Sequence, residues 1–99
     1  MAFFFNRKGR TIGYRLICIG NMTSTHADIR LIVSLALHSL AAGVIIAHNH
    51  PSGDLEPSDA DLAITKKLGK ALKLIDVRLL DHLIIGECTY YSMADENLL

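Results

Sequence analysis

The stretch from residue 44 to residue 75 constrains the fold most, because its apolar pattern changes character twice. Val44-Ile45-Ile46-Ala47 is a short unbroken apolar run, which reads as a buried strand. His48-Asn49-His50-Pro51-Ser52-Gly53-Asp54 interrupts it with Pro and Gly, so residues 51–57 read as a loop. Ser58-Asp59-Ala60-Asp61 then has the form of a helix start with a capping box. Leu62, Thr65, Leu68, Leu72 and Ile75 follow at helical spacing and face inward, while Lys66, Lys67, Lys70 and Lys73 face out. A strand, a loop and a capped amphipathic helix in that order call for a sheet with helix packed on it.

The flanking segments extend this plan. Residues 2–5 and 11–19 read as a β-hairpin about the turn Asn6-Arg7-Lys8-Gly9, with a break at Gly20-Asn21. Residues 28–40 carry Ile29, Ile32, Val33, Ala36, Leu37 and Leu40 at a period near 3.6, a second helix that Gly43 is expected to end. Residues 77–80 and 83–85 suggest one strand, kinked at Asp81-His82. After a turn at Gly86-Glu87, residues 89–92 form a last strand before the short segment 94–99. The expected fold class is α/β: a mixed β-sheet with a helix on each face or both on one. One domain over residues 1–99 is expected, with no repeat or linker.

Ninety-nine residues, 51% of them apolar, suffice for a single core. The apolar runs are too short for a membrane span, and Ala2-Phe3-Phe4-Phe5 precedes rather than follows its basic cluster, unlike a signal peptide. A cytoplasmic location with no membrane partner is the expectation. Cys18 and Cys88 lie far apart in strand-like segments and read as buried free thiols. Net charge is zero, but five basic residues and one acid precede His48, and five basic and nine acidic residues run from His48 onward. Overall neutrality speaks against a dedicated nucleic-acid module. The lysine face, without interleaved aromatics, reads as a solvated helix surface.

Two histidines two residues apart on a strand project to the same side. His48 and His50 are therefore placed as metal ligands, with Asp61 supplying the third donor from the next helix. Two imidazoles and one carboxylate leave an open position, the arrangement of a catalytic rather than a structural Zn2+ site. Ser58 reads as the helix N-cap, worth about 1 kcal/mol. His82 reads as a satisfied core residue or a partner behind the ligands. His38 belongs on the polar side of the first helix, and His26 carries little signal. Asp28 suits the first turn of a helix. Asp54 and Glu56 read as loop acids, Asp54 with a role in the Ser52-Gly53 turn.

His48, His50, Pro51, Ser58 and Asp61 together match the spacing His-x-His-Pro, six residues, Ser, two residues, Asp, and so resemble the JAMM (MPN-type) metalloproteases. The flanks Ala47-His48-Asn49-His50-Pro51-Ser52-Gly53-Asp54, Pro57-Ser58, Leu80-Asp81-His82-Leu83-Ile84 and Tyr90-Tyr91-Ser92 are similar to the RadC family. The resemblance covers residues 20–99. It implies a JAB1/MPN fold, related in architecture to cytidine deaminases, around one Zn2+ held by His48, His50 and Asp61. Ser58 would stabilise the oxyanion of a tetrahedral intermediate. It also implies a hydrolase acting on a peptide or protein substrate, and an association with DNA repair.

Two departures stand out. The JAMM pattern has an upstream glutamate as general base, expected near Arg15-Leu16, yet no Glu precedes Glu56. Such a base is worth about two to four orders of magnitude in rate, which favours a non-catalytic, metal-containing binding module as the rival reading. A protein-interaction domain in which the His pair only steadies its loop is the third. The family's N-terminal segment is also expected to be missing, which would leave a sheet edge for a homodimer partner to cover.

Overall fold

A computed structural model describes residues 1–15, 29–50 and 55–99. The order along the chain is β1 (Ala2–Phe5), β2 (Thr11–Arg15), α1 (Ile29–His38), β3 (Gly43–Asn49), α2 (Asp59–Lys73), β4 (Arg78–Ile85) and β5 (Tyr90–Ser92). These strands make one sheet in the order β2-β1-β3-β4-β5. The β3–β4 pair is parallel and the others antiparallel, so the sheet is mixed. A parallel pair cannot be joined by a hairpin, and α2 is the crossover it requires.

The hairpin turn is held by Asn6, whose side-chain oxygen accepts the N–H groups of Lys8 at 2.9 Å and Arg10 at 3.0 Å. Gly9 takes the positive φ of 75° that this turn requires. Ala2 and Phe4 of β1 and Val44 and Ile46 of β3 alternate along their strands, so each pair shares a face. They join one cluster with Ile32 and Ala36 of α1 and Leu68 and Leu72 of α2. Both helices therefore pack on the same face, the second of the two expected arrangements. Burial of each large aliphatic side chain there contributes about 1.5–3 kcal/mol. No helix of the described residues is long and apolar enough to cross a membrane.

Several boundaries differ from expectation. α1 stops at His38, and Gly43 opens β3 rather than ending the helix. Leu40 makes the stop, at φ 54°. Its N–H reaches the Leu37 carbonyl at 3.2 Å and that of Ala41 reaches Ala36 at 3.0 Å, which is a Schellman end. α2 finishes the same way through Asp76 at φ 64°. Cys88 was expected to be buried but is exposed, because Gly86 N–H closes a turn on the Thr89 carbonyl at 2.8 Å with Cys88 inside it. Cys18, Asp28, residues 16–19 of the expected second strand, and the break at Gly20-Asn21 lie outside the described residues.

The expected kink in β4 is a register shift one step earlier. Val44 pairs with Leu79 and Ile45 with Asp81, leaving Leu80 as the extra residue. A one-residue slip exchanges the two faces of a strand. It brings His82, paired with Ile46, to the helix-covered face, and sends Asp81 to the other. Gly43 makes room for the bulge, since a Cβ there would stand 2.6 Å from the Leu80 side chain.

Leu40 is 84% exposed, so its side chain adds little to the core while its backbone is strained. Leu40→Gly is expected to raise stability by about 0.5–1 kcal/mol, the left-handed strain relieved less the entropy glycine adds to the unfolded chain. Urea denaturation of both proteins checks this.

Candidate metal centre

His48 lies near the carboxyl end of β3, on the face shared by Val44 and Ile46. His50 follows two residues on, its N–H reaching the Ile85 carbonyl at 3.2 Å and so extending the β3–β4 ladder. The two rings stand 4.8 Å apart between centroids. Asp61 approaches from the first turn of α2, where the positive end of the helix dipole favours a carboxylate. It is 1% exposed.

Ser58 fixes that carboxylate through a reciprocal capping box. Its N–H donates to Asp61 Oδ2 at 2.9 Å, and its Oγ accepts the Asp61 N–H at 3.1 Å. The N-cap role is thus present. It uses a lone pair of Ser58 Oγ and leaves the hydroxyl hydrogen to donate elsewhere.

One ligand atom from each of His48, His50 and Asp61 lies within 4.8 Å of the others, which is the grouping expected from sequence. His50 Nε2 is 3.2 Å from Asp61 Oδ2, and His48 Nε2 is 3.4 Å from Asp61 Oδ1. His48 Nε2 and Asp61 Oδ1 are buried and have no hydrogen-bond partner. Buried polar atoms without partners are rare and costly. Donors set about 2.0–2.2 Å from a tetrahedral ion would lie roughly 3.3–3.5 Å apart. The unpartnered pair has that separation, so His48, His50 and Asp61 could hold a metal ion.

Behind the ligands runs a second set of contacts. His48 Nδ1 is 2.9 Å from His82 Nε2, and His82 Nδ1 is 2.6 Å from Thr65 Oγ1. Thr65 donates its hydroxyl to the Asp61 carbonyl at 2.7 Å. His82 is thus buried with both ring nitrogens in contact, one with Thr65 and one with His48. Asp81 anchors this strand from the opposite face, accepting the His82 N–H at 2.7 Å and the Ala94 N–H at 3.0 Å on Oδ1, with the Ser92 hydroxyl on Oδ2. Thr65, read from sequence only as an inward residue, carried no signal of this role. The lysines of α2 are exposed, and His38 is exposed with Nδ1 2.7 Å from the Ser34 carbonyl.

Arg15, one of the two positions where a base was expected, is separated from β3 by β1, since Arg15 pairs with Ala2 and Ala2 with Ile46. Leu16, His26 and Asp54 lie outside the described residues, and Glu56 is exposed. Among the described residues, no second carboxylate joins the three-residue grouping.

The profile of the RadC-like JAB domain matches residues 1–98. The chain belongs to the RadC family. It is 44% identical over 99 residues to the UPF0758 protein YfjY of Escherichia coli K12, covering all of this chain and 62% of that protein. It is 45% identical over 97 residues to a UPF0758 protein of Flavobacterium johnsoniae, covering 98% of this chain and 42% of the relative. A UPF0758 protein of Porphyromonas gingivalis is 45% identical over 99 residues, with 99% and 44% covered. The chain thus spans roughly half the length of these RadC-family relatives. The mixed sheet with two helices is consistent with a JAB/MPN-like domain.

Electrostatics at this RadC-like centre follow from burial. Burial holds His82 down at about 4, aided by the nearby His48 ring and opposed by Asp61 and Asp81. Burial also lowers His48, against the pull of Asp61. Burial pushes the Asp61 carboxyl up, but the Ser58 hydrogen bonds and the two imidazoles outweigh it and hold the group below 3.8.

A histidine depressed in the folded state binds its proton more readily when unfolded, so the fold loses stability as pH falls from 6.5 towards about 4. The Asp61 contribution is lost only further down, below 3.8. For metal-free protein, urea denaturation across pH 4–7 is expected to show this loss, with a shallower slope in His82→Gln.

Proposed function

We propose that His48, His50 and Asp61 hold a zinc ion in a centre of the JAMM type, and that its chemistry is hydrolysis of an amide or isopeptide-like bond in a peptide or protein. The observation that carries this reading is the pair of buried, unpartnered atoms His48 Nε2 and Asp61 Oδ1, 3.4 Å apart. Two imidazole nitrogens and one carboxylate oxygen suit zinc, and three protein donors leave a position for water or substrate. Zinc would lower the pKa of a water in that position to about 7 and polarise a carbonyl.

The chain's own residues divide the remaining work. Ser58 N–H holds Asp61 Oδ2, leaving Oδ1 to face His48. The Ser58 hydroxyl, accepting from Asp61 N–H, still has a hydrogen to give to an oxyanion. No residue of the sequence stands out as the general base, and the lack of any Glu before Glu56 favours a second reading. In that reading the same metal-holding domain binds protein or DNA without turnover. The homodimer expected from an uncovered sheet edge would use an outer strand, β2 or β5.

Protein purified without added metal is expected to contain about one zinc per chain, with chelation costing roughly 2.7 kcal/mol where zinc had stood at a hundredfold over its Kd. His48→Ala, His50→Ala and Asp61→Asn are each expected to abolish that zinc. No zinc in the wild type, or unchanged zinc in His48→Ala, would remove the reading. Ser58→Gly separates cap from chemistry. It is expected to change stability by only a few tenths of a kcal/mol while slowing any peptide turnover about a hundredfold. Zinc-loaded protein that cleaves nothing in a broad peptide library supports the binding module instead.

A further inference from the structure

We propose that Thr65 and His82 form a positioning relay that fixes the proton of His48 on Nδ1 and so presents its Nε2 lone pair to a metal beside Asp61. This rests on the metal-centre reading and adds two residues that contact Asp61 and His48 away from their proposed donor atoms. The relay starts at the backbone carbonyl of Asp61, a group that can only accept. Thr65, one turn further along α2, has a single hydroxyl hydrogen and donates it to that carbonyl at 2.7 Å. The weaker alternative, Met93 Sδ at 3.4 Å, would use the same hydrogen and also only accepts.

Each later link follows from the one before. With its hydrogen on the Asp61 carbonyl rather than on His82 Nδ1, Thr65 Oγ1 accepts from His82 Nδ1 at 2.6 Å in the proposed relay. A neutral imidazole with its hydrogen on Nδ1 has a bare Nε2, which can only accept. His48 Nδ1, 2.9 Å away, therefore donates to it. That leaves His48 Nε2 bare, 3.4 Å from Asp61 Oδ1. The chain of contacts thus leaves the backbone of one ligand, crosses from α2 to β4 to β3, and returns to the same ligand's carboxylate through the ring of another. Thr65 and His82 are both 4% exposed, so solvent is poorly placed to replace either. The bulge at Leu80 puts His82 on this face.

The relay predicts opposite behaviour for two near-isosteric changes. Thr65→Val removes the acceptor, so His82 no longer gains by carrying its proton on Nδ1. His82 can then donate from Nε2 to His48 Nδ1, moving the His48 proton to Nε2, where a metal would have to displace it. Thr65→Ser keeps the hydroxyl and with it the wild-type pattern.

Two readouts test this: long-range 1H–15N spectra of the imidazoles in metal-free protein, and Zn2+ affinity by chelator competition. Far-UV circular dichroism first confirms that each variant is folded. In the wild type, His48 and His82 are both expected to be protonated on Nδ1. In Thr65→Val, His48 is expected to shift towards the Nε2–H form and Zn2+ affinity to fall about 10–100-fold. Thr65→Ser is expected to keep the pattern and most of the affinity. His82→Gln places an amide oxygen near the lost Nε2 and is expected to bind Zn2+ more tightly than His82→Leu. A wild-type His48 protonated on Nε2 overturns the relay, as does a Thr65→Val protein with an unchanged pattern and affinity. Wild-type protein that binds no Zn2+ overturns the metal reading itself, and the relay's purpose with it. Zn2+ bound equally by wild type and Thr65→Val defeats the relay alone.

Discussion

Asp61 is almost completely buried, and an isolated carboxylate so placed would cost several kcal/mol. The structure meets that cost from one side only. Oδ2 receives the Ser58 N–H, and the first turn of α2 surrounds the group with the positive end of a helix. Oδ1 receives nothing, and the atom opposite it, His48 Nε2, is equally bare. These two unpartnered atoms face each other across 3.4 Å and could serve as donors to a cation.

The sheet determines which side chains can reach this point. The β3–β4 pair is parallel, so the carboxyl end of β3 and the amino end of the crossover helix converge, the place where open α/β sheets gather ligands. His48 and His50 come from the strand, and Asp61 and Thr65 from one side of the helix. His82 arrives only because Leu80 is bulged, and Gly43 across the strand pair is small enough to accept it. Change the register of β4 by one residue and Asp81 would face the core in its place.

The grouping of His48, His50 and Asp61 was legible because strand and helix periods are visible in the sequence: His-x-His at period two, then a capping box with its carboxylate at the third helical position. The alternation of strands and helices was legible for the same reason. The end of α1 was not, since a leucine rather than the expected glycine takes the left-handed position. Nor was the exposure of Cys88, which sits in a turn whose bounds the apolar pattern blurs. His82 could not be assigned, because a bulge decides its face and a bulge leaves no periodic trace. Thr65 looked like any small inward residue of an amphipathic helix. Its role lies in a hydrogen bond to an element seventeen residues away. The resemblance to the RadC family compensated for none of these, since it spoke to the ligands and not to what holds them.

The most direct measurement is a crystal structure of the protein purified without added metal, with anomalous scattering recorded on both sides of the zinc absorption edge. The account predicts one zinc peak at about 2.0–2.2 Å from His48 Nε2, His50 and Asp61 Oδ1, with a fourth position open to solvent. An ordered site with no anomalous peak, and water or a direct hydrogen bond joining His48 Nε2 to Asp61 Oδ1, would contradict it.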